Sequence, residues 1–132
     1  VSHRNLWVRR AAAVSLVRLA SRGVSLDAAY GVATALRADR HDLIHKAAGW
    51  LLRECGRTDP VRLERYLRDA GPALPRTTLR YAVEHFSPAR RAAIMRATRA
   101  PVGGTGDARR VAPRADSGLR SGVRRGYPAR RD

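Results

Sequence analysis

Apolar positions recur at three- and four-residue intervals through residues 1–98, and no segment keeps the two-residue alternation of a half-buried strand. The first such stretch runs from about His3 to Ala20 and stops at Gly23. Ser25 is a capping residue type, and Leu26, Ala29, Val32, Ala33 and Leu36 follow it at helical spacing. A third helix starts near Asp39 or Arg40, carries Leu43, Ile44, Ala47, Ala48, Leu51, Leu52 and Cys55, and is expected to end at Gly56. Asp59-Pro60 combines a cap with a proline at the first helical position, predicting a fourth helix with Val61, Leu63, Tyr66 and Leu67 as far as Gly71. Pro75 opens a fifth through Leu79, Tyr81, Ala82, Val83 and Phe86, and Ser87-Pro88 opens a sixth through Ile94 and Met95. The predicted fold class is all-α.

Taken two by two, these helices form units of about 35 residues, the length of solenoid repeats that stack side by side. Three helix pairs over residues 1–98 are therefore expected, with a compact bundle as the alternative. From Arg99 onward glycines, prolines and arginines are scattered without an apolar face, and residues 99–132 are expected to be a disordered basic tail. The chain opens on Val1 rather than Met, which reads as an incomplete N-terminus, and Val1-Ser2-His3-Arg4 has no signal-peptide character. No run approaches the roughly 20 apolar residues that span a bilayer. Cys55 is the one cysteine, so no intramolecular disulfide is available, and a reducing, cytoplasmic setting is expected.

Charge sharpens the picture. The chain has 27 basic and 11 acidic residues, a net +16, and every basic residue except Lys46 is arginine. Arginine offers phosphate a planar donor fork, and a basic surface attracts nucleic acid by counterion release. A GC-rich coding sequence would also raise arginine at solvated positions. Both parts of the chain are basic, with 18 basic and 8 acidic residues before Arg99 and 9 and 3 from there on.

Two residues stand out by where the helical wheel puts them. Arg10 falls between Val14 and Val17 in the sector of Leu6 and Ala13, where a guanidinium needs either a carboxylate from another element or a ligand such as phosphate. Trp50 lies at the edge of the apolar sector of the third helix, with Lys46 and Arg53 further round, an arrangement suited to an indole against a sugar or base with cations on phosphates. Packing of Trp50 against a neighbouring helix is the competing reading. Trp7, near Arg4 and Arg18, is either a core aromatic or a second ligand-facing ring. His41 and His45 share one face at i, i+4, but further ligands for a metal are not evident, and a solvated face is favoured. Glu54, one turn from Trp50, is a weak catalytic candidate, with an ion pair to Arg53 or Arg57 as the favoured reading. No phosphate loop, nucleophile elbow or cysteine pair is present, and neither a metal nor a cofactor is expected.

Three blocks carry a family resemblance: Asn5-Leu6-Trp7-Val8-Arg9-Arg10, Lys46-Ala47-Ala48-Gly49-Trp50-Leu51-Leu52-Arg53-Glu54, and Pro75-Arg76-Thr77-Thr78-Leu79-Arg80-Tyr81-Ala82-Val83-Glu84. Together, over most of residues 3–95, they resemble the C-terminal half of the AlkD-like DNA alkylation repair family, DNA glycosylases built from HEAT-like repeats. The resemblance implies a monomeric basic solenoid that holds alkylated duplex DNA and excises purines such as 3-methyladenine or 7-methylguanine by cleaving the N-glycosidic bond, without flipping the base into a pocket. By position it makes Arg10 the cleft arginine and Trp50 a cleft tryptophan, with Trp7, Arg9, Lys46 and Arg53 as further DNA or lesion contacts. The family's catalytic aspartate and other cleft tryptophan precede the block that begins at Asn5 and have no counterpart here. A catalytically weak or inactive chain is therefore expected, with Leu6 or Val14 left exposed on the first helix. The alternative is a helical scaffold that binds nucleic acid or protein and catalyses nothing.

Overall fold

A computed structural model describes residues 3–101. Val1, Ser2 and residues 102–132, and with them most of the expected disordered tail, lie outside the described residues. Six α-helices follow in order, with no strand among the described residues: α1 (Leu6–Ala20), α2 (Leu26–Ala35), α3 (Asp42–Thr58), α4 (Pro60–Ala70), α5 (Arg76–Ala82) and α6 (Pro88–Ala97). A single 3₁₀ turn over Gly71–Ala73 links α4 to the α5 segment.

Local chemistry sets most of the boundaries. The Asn5 side chain accepts the Trp7 amide proton at 2.8 Å, so α1 begins three residues later than its apolar period alone suggests. Asp59 and Ser87 each accept an amide proton three residues on, from Arg62 and Arg90, with proline at the first helical position in both cases. Ser25 occupies the cap position of α2 but makes no side-chain cap bond, because its backbone is left-handed at φ 57°. Asp39 stays outside α3, its carboxylate already engaged by the His41 amide and by Arg9.

Two expected ends are corrected. Gly56 does not stop α3, which runs on to Thr58. A Cβ at position 56 would lie 2.3 Å from Leu63 Cδ2, so this glycine lets α4 approach α3. The fifth helix ends at Ala82 rather than continuing to Phe86, although Val83 and Phe86 remain buried.

The helices stack in two rows. In one, α1 packs on α3 and α3 on α5; in the other, side chains of α2 meet α4, and α4 packs on α6. The rows join where α2 meets α1 and α3 and where α4 meets α3, burying Ala13, Val17, Ala33, Leu36, Ile44, Leu51, Leu52, Leu63, Leu67 and Leu79 between them. In the third pair, Arg76 at the start of α5 donates to the Met95 carbonyl and the Thr98 hydroxyl at the end of α6. Leu6 and Val14, expected to be exposed, pack against the core; the exposed apolar side chains of α1 are Trp7, Val8 and Leu19.

The α3–α5 contact positions the site. Along the two helices Asp42 meets Thr77, the His45 carbonyl accepts from Thr78, Gly49 faces Thr78 and Tyr81, and Arg53 meets Glu84. Residue numbers rise together on both sides, so α3 and α5 run parallel and in register. Gly49 is the tight point: a Cβ there would come within 2.6 Å of Tyr81 Cβ and 2.7 Å of the Thr78 carbonyl oxygen. Only glycine lets α5 come this close.

Candidate nucleic-acid interface

A cleft of about 390 Å³ opens on the α1–α3–α5 row. Leu43, Lys46, Ala47, Trp50 and Arg53 project into it from one face of α3, at the spacing that places side chains above one another on a helix. The opposite side of α3 buries Ile44, Ala48, Leu51, Leu52 and Cys55, so the core fixes how the cleft face is presented. Arg10 enters from α1 and Tyr81 from α5. Trp50 and Tyr81 are each 38% exposed, so both rings line the cleft rather than fill the core. The volume falls within the roughly 300–1,000 Å³ of small-ligand sites.

The adjacent arginines of α1 have opposite environments. Arg9 lies with its Nε 2.6 Å from Asp39 Oδ2, both side chains less than one-fifth exposed, and its Nη1 donates to the carbonyls of His3 and Arg4. Burial pushes the Asp39 carboxyl upward, but the His41 amide and the Arg9 guanidinium outweigh it and hold it below its ordinary value. This pair ties α1 to the loop before α3. Arg10, half-buried one residue on, has no carboxylate partner among the described residues. Of the two partners its position calls for, a carboxylate or an anionic ligand, the fold supplies no carboxylate.

The other cleft cations are paired, Lys46 with the exposed Asp42 and Arg53 with both the exposed Glu84 and the buried Glu54. Lys46 Nζ is 3.1 Å from Asp42 Oδ2 on the exposed surface; the bond raises the lysine pKa and lowers that of the aspartate. Arg53 Nη1 is 2.5 Å from Glu84 Oε2, with the glutamate side chain 55% exposed. Both carboxylates stand at the margin, and none lines the cleft itself.

Glu54 is buried, and its carboxylate lies 3.4 Å from Arg53 and 3.3 Å from Arg57. The ion pairs expected of it are present, in the interior rather than at the surface, and it is not part of the cleft lining. Trp7 is 63% exposed at the start of α1, neither in the core nor in the cleft. His41 caps α3 through Nδ1, His45 bonds the Asp39 carbonyl, and among the described residues no group of His, Cys, Asp or Glu is placed to hold a metal. Of the residues singled out from the sequence, the structure gathers Arg10, Lys46, Trp50 and Arg53 in one cleft and leaves Arg9, Trp7 and Glu54 outside it. Tyr81 was missed as a site residue; its register opposite Gly49 across 32 residues of chain has no local signature.

Two stacked rows of helices, one carrying a cleft lined by cations and part-exposed rings, define an all-α protein of paired helices. The sequence matches the family model described as DNA alkylation repair enzyme over residues 1–86, and the chain belongs to that family. The matched segment contains α1 to α5 and every residue that lines the cleft, and ends before α6. No curated protein and no solved structure matches the chain.

Proposed function

We propose that the cleft is a site for alkylated duplex DNA, with Arg10, Lys46 and Arg53 on backbone phosphates and Trp50 against the lesion-bearing nucleotide, in the service of excising N-alkylated purines such as 3-methyladenine and 7-methylguanine. The observation that carries the proposal is Arg10: a half-buried guanidinium without a carboxylate partner, in a cleft with two further cations and an open indole. Phosphate satisfies the guanidinium that the fold leaves unpaired, and release of counterions from DNA drives association. Membership of the DNA alkylation repair family supports DNA as the anionic partner. An electron-rich ring face favours the positive charge of an alkylated purine and of the sugar as its glycosidic bond breaks.

Cleaving that bond also calls for a group that stabilises an oxocarbenium-like sugar or positions water, as a carboxylate does. The lining has none, so the chain is assigned binding and lesion contact, with excision by this chain alone weak or nil. The test is release of methylated purines from methylated duplex, alongside duplex binding by fluorescence anisotropy over a range of salt. Binding that weakens steeply with salt, with release no faster than the spontaneous rate, is the expected result. Release above that rate, abolished by Glu54→Gln, would overturn the assignment and place the carboxylate within the chain. Duplex binding that is absent or indifferent to salt would favour a protein-interaction scaffold.

A further inference from the structure

We infer that Tyr81 is the second aromatic wall of the cleft and packs against the nucleotide on the side opposite Trp50; the inference rests on the reading of the cleft as a DNA site.

Three observations carry it. Tyr81 and Trp50 come from different helices, line one cleft and are exposed to the same 38%. The ring pair found among the described residues is Tyr30 with Tyr66, at 4.9 Å between centroids on the α2–α4 row; Trp50 and Tyr81 do not pair with each other, and their part-exposed place in the cleft leaves each accessible to a third group. The position of Tyr81 is also fixed more tightly than its exposure requires. Its Cβ sits against the Gly49 backbone, where no side chain fits, and the α5 segment around it is tied to α3 by Thr77–Asp42, Thr78–His45 and Glu84–Arg53. A part-exposed ring whose backbone is held in register is projected from a fixed point, so less backbone freedom is lost on binding than for a ring on a loose segment.

The chemistry of the neighbours says what that face would meet. Lys46 stands beside Tyr81, close enough for the phenol to help raise the lysine pKa after the larger effect of Asp42. A nucleotide seated with its phosphate on Lys46 and Arg10 brings its sugar or base between the two rings. Ring stacking on bases tolerates any sequence and is insensitive to salt, unlike the phosphate contacts. Tyr81 therefore contributes affinity without contributing to the salt dependence.

The experiment compares the full chain with Tyr81→Leu, Tyr81→Ser, Tyr81→Phe, Lys46→Ala and Arg10→Ala, binding a fluorescent duplex of about 20 base pairs, methylated with dimethyl sulfate or untreated, across a salt series. Leu and Ser keep the Cβ that packs on Gly49, so helicity by circular dichroism should hold in at least one of them. Expected is a loss of about fivefold or more with Leu and Ser at unchanged salt slope, near-wild-type binding with Phe, and a slope reduced by about one with Lys46→Ala. Wild-type affinity in folded Tyr81→Leu and Tyr81→Ser, with Arg10→Ala weakened, would overturn the role of Tyr81 and leave the DNA site standing. A Tyr81→Leu loss that comes with a reduced salt slope would also overturn it, since the ring would then act through the cations. Failure of the unmodified chain to bind either duplex would remove the DNA reading itself.

Discussion

On the α2–α4–α6 row, Arg62 bonds Asp27 and lies 4.7 Å over the Tyr30 ring, Arg68 and Arg90 share Glu64, and Arg90 also covers the Phe86 ring. On the α1–α3–α5 row, Arg10 has no carboxylate partner among the described residues, Lys46 holds a carboxylate that solvent reaches, and Arg53 lies between the exposed Glu84 and the buried Glu54. Both rows are rich in arginine, and the α2–α4–α6 row also has arginines without a carboxylate partner among the described residues, such as Arg65 and Arg96; what sets the α1–α3–α5 row apart is that its unpaired guanidinium, Arg10, lies half-buried in a cleft beside an open indole. Net charge alone would spread the expected interface over the whole surface; the cleft that gathers Arg10, Lys46 and Arg53 with two part-exposed rings singles out one face. The same division occurs within α1, where Arg9 is committed to the fold through Asp39 and Arg10 is not.

The largest expected effect tests the seam that builds the cleft row. Gly49→Ala sets a methyl against Tyr81 Cβ and the Thr78 carbonyl, where backbone as well as side chain must move. It should destabilise by about 1–3 kcal/mol in urea unfolding and weaken duplex binding, since α5 carries Tyr81. Gly56→Ala, which meets only the flexible end of Leu63, should cost less.

The adjacent arginines give the next effect, and it divides cleanly. Arg9→Ala leaves Asp39 largely buried with the His41 amide but without its cation and should lower stability by about 1–2 kcal/mol. Arg10→Ala should leave the unfolding midpoint near wild type and weaken duplex binding about tenfold. Equal effects of the two substitutions on both readouts would dissolve the distinction. The Asp39 pair also predicts acid sensitivity. Because the folded carboxyl is held below its ordinary value, its contribution is complete above about pH 5 and is lost as pH falls through the folded pKa, below the ordinary value of about 4. Urea unfolding at a series of pH values should show part of that loss missing in Asp39→Asn.

Smaller effects come from the cleft margin and the far row. Asp42→Asn frees Lys46 and Glu84→Gln leaves Arg53 with Glu54 alone, and each should tighten duplex binding about two- to fivefold at low salt, opposite in sign to the cation deletions. Arg68→Ala, on the far row, should change duplex affinity by less than about twofold.

Much of this organisation could be read from the chain. Asp59-Pro60 and Ser87-Pro88 mark helix starts because the cap and the proline act within one turn of backbone. The half-buried setting of Arg10 and the edge position of Trp50 follow from their places on the wheel. What escaped depends on partners distant in sequence. Gly56 reads locally as a stop, yet it serves the contact with Leu63; that Arg9 is the arginine tied to a carboxylate shows only once Asp39 is seen to reach it. Tyr81 belongs to the cleft because a glycine on another helix lets its backbone in.

The most direct test of the central claim, that the cleft cation Arg10 is free for phosphate while the paired Arg68 of the far row is not, is the salt dependence of duplex binding by the full chain, Arg10→Ala and Arg68→Ala. The account predicts a steep double-logarithmic slope for the unmodified chain, a slope shallower by about one in Arg10→Ala, and no change in Arg68→Ala. An unchanged slope in Arg10→Ala, or an equal reduction in Arg68→Ala, would contradict it.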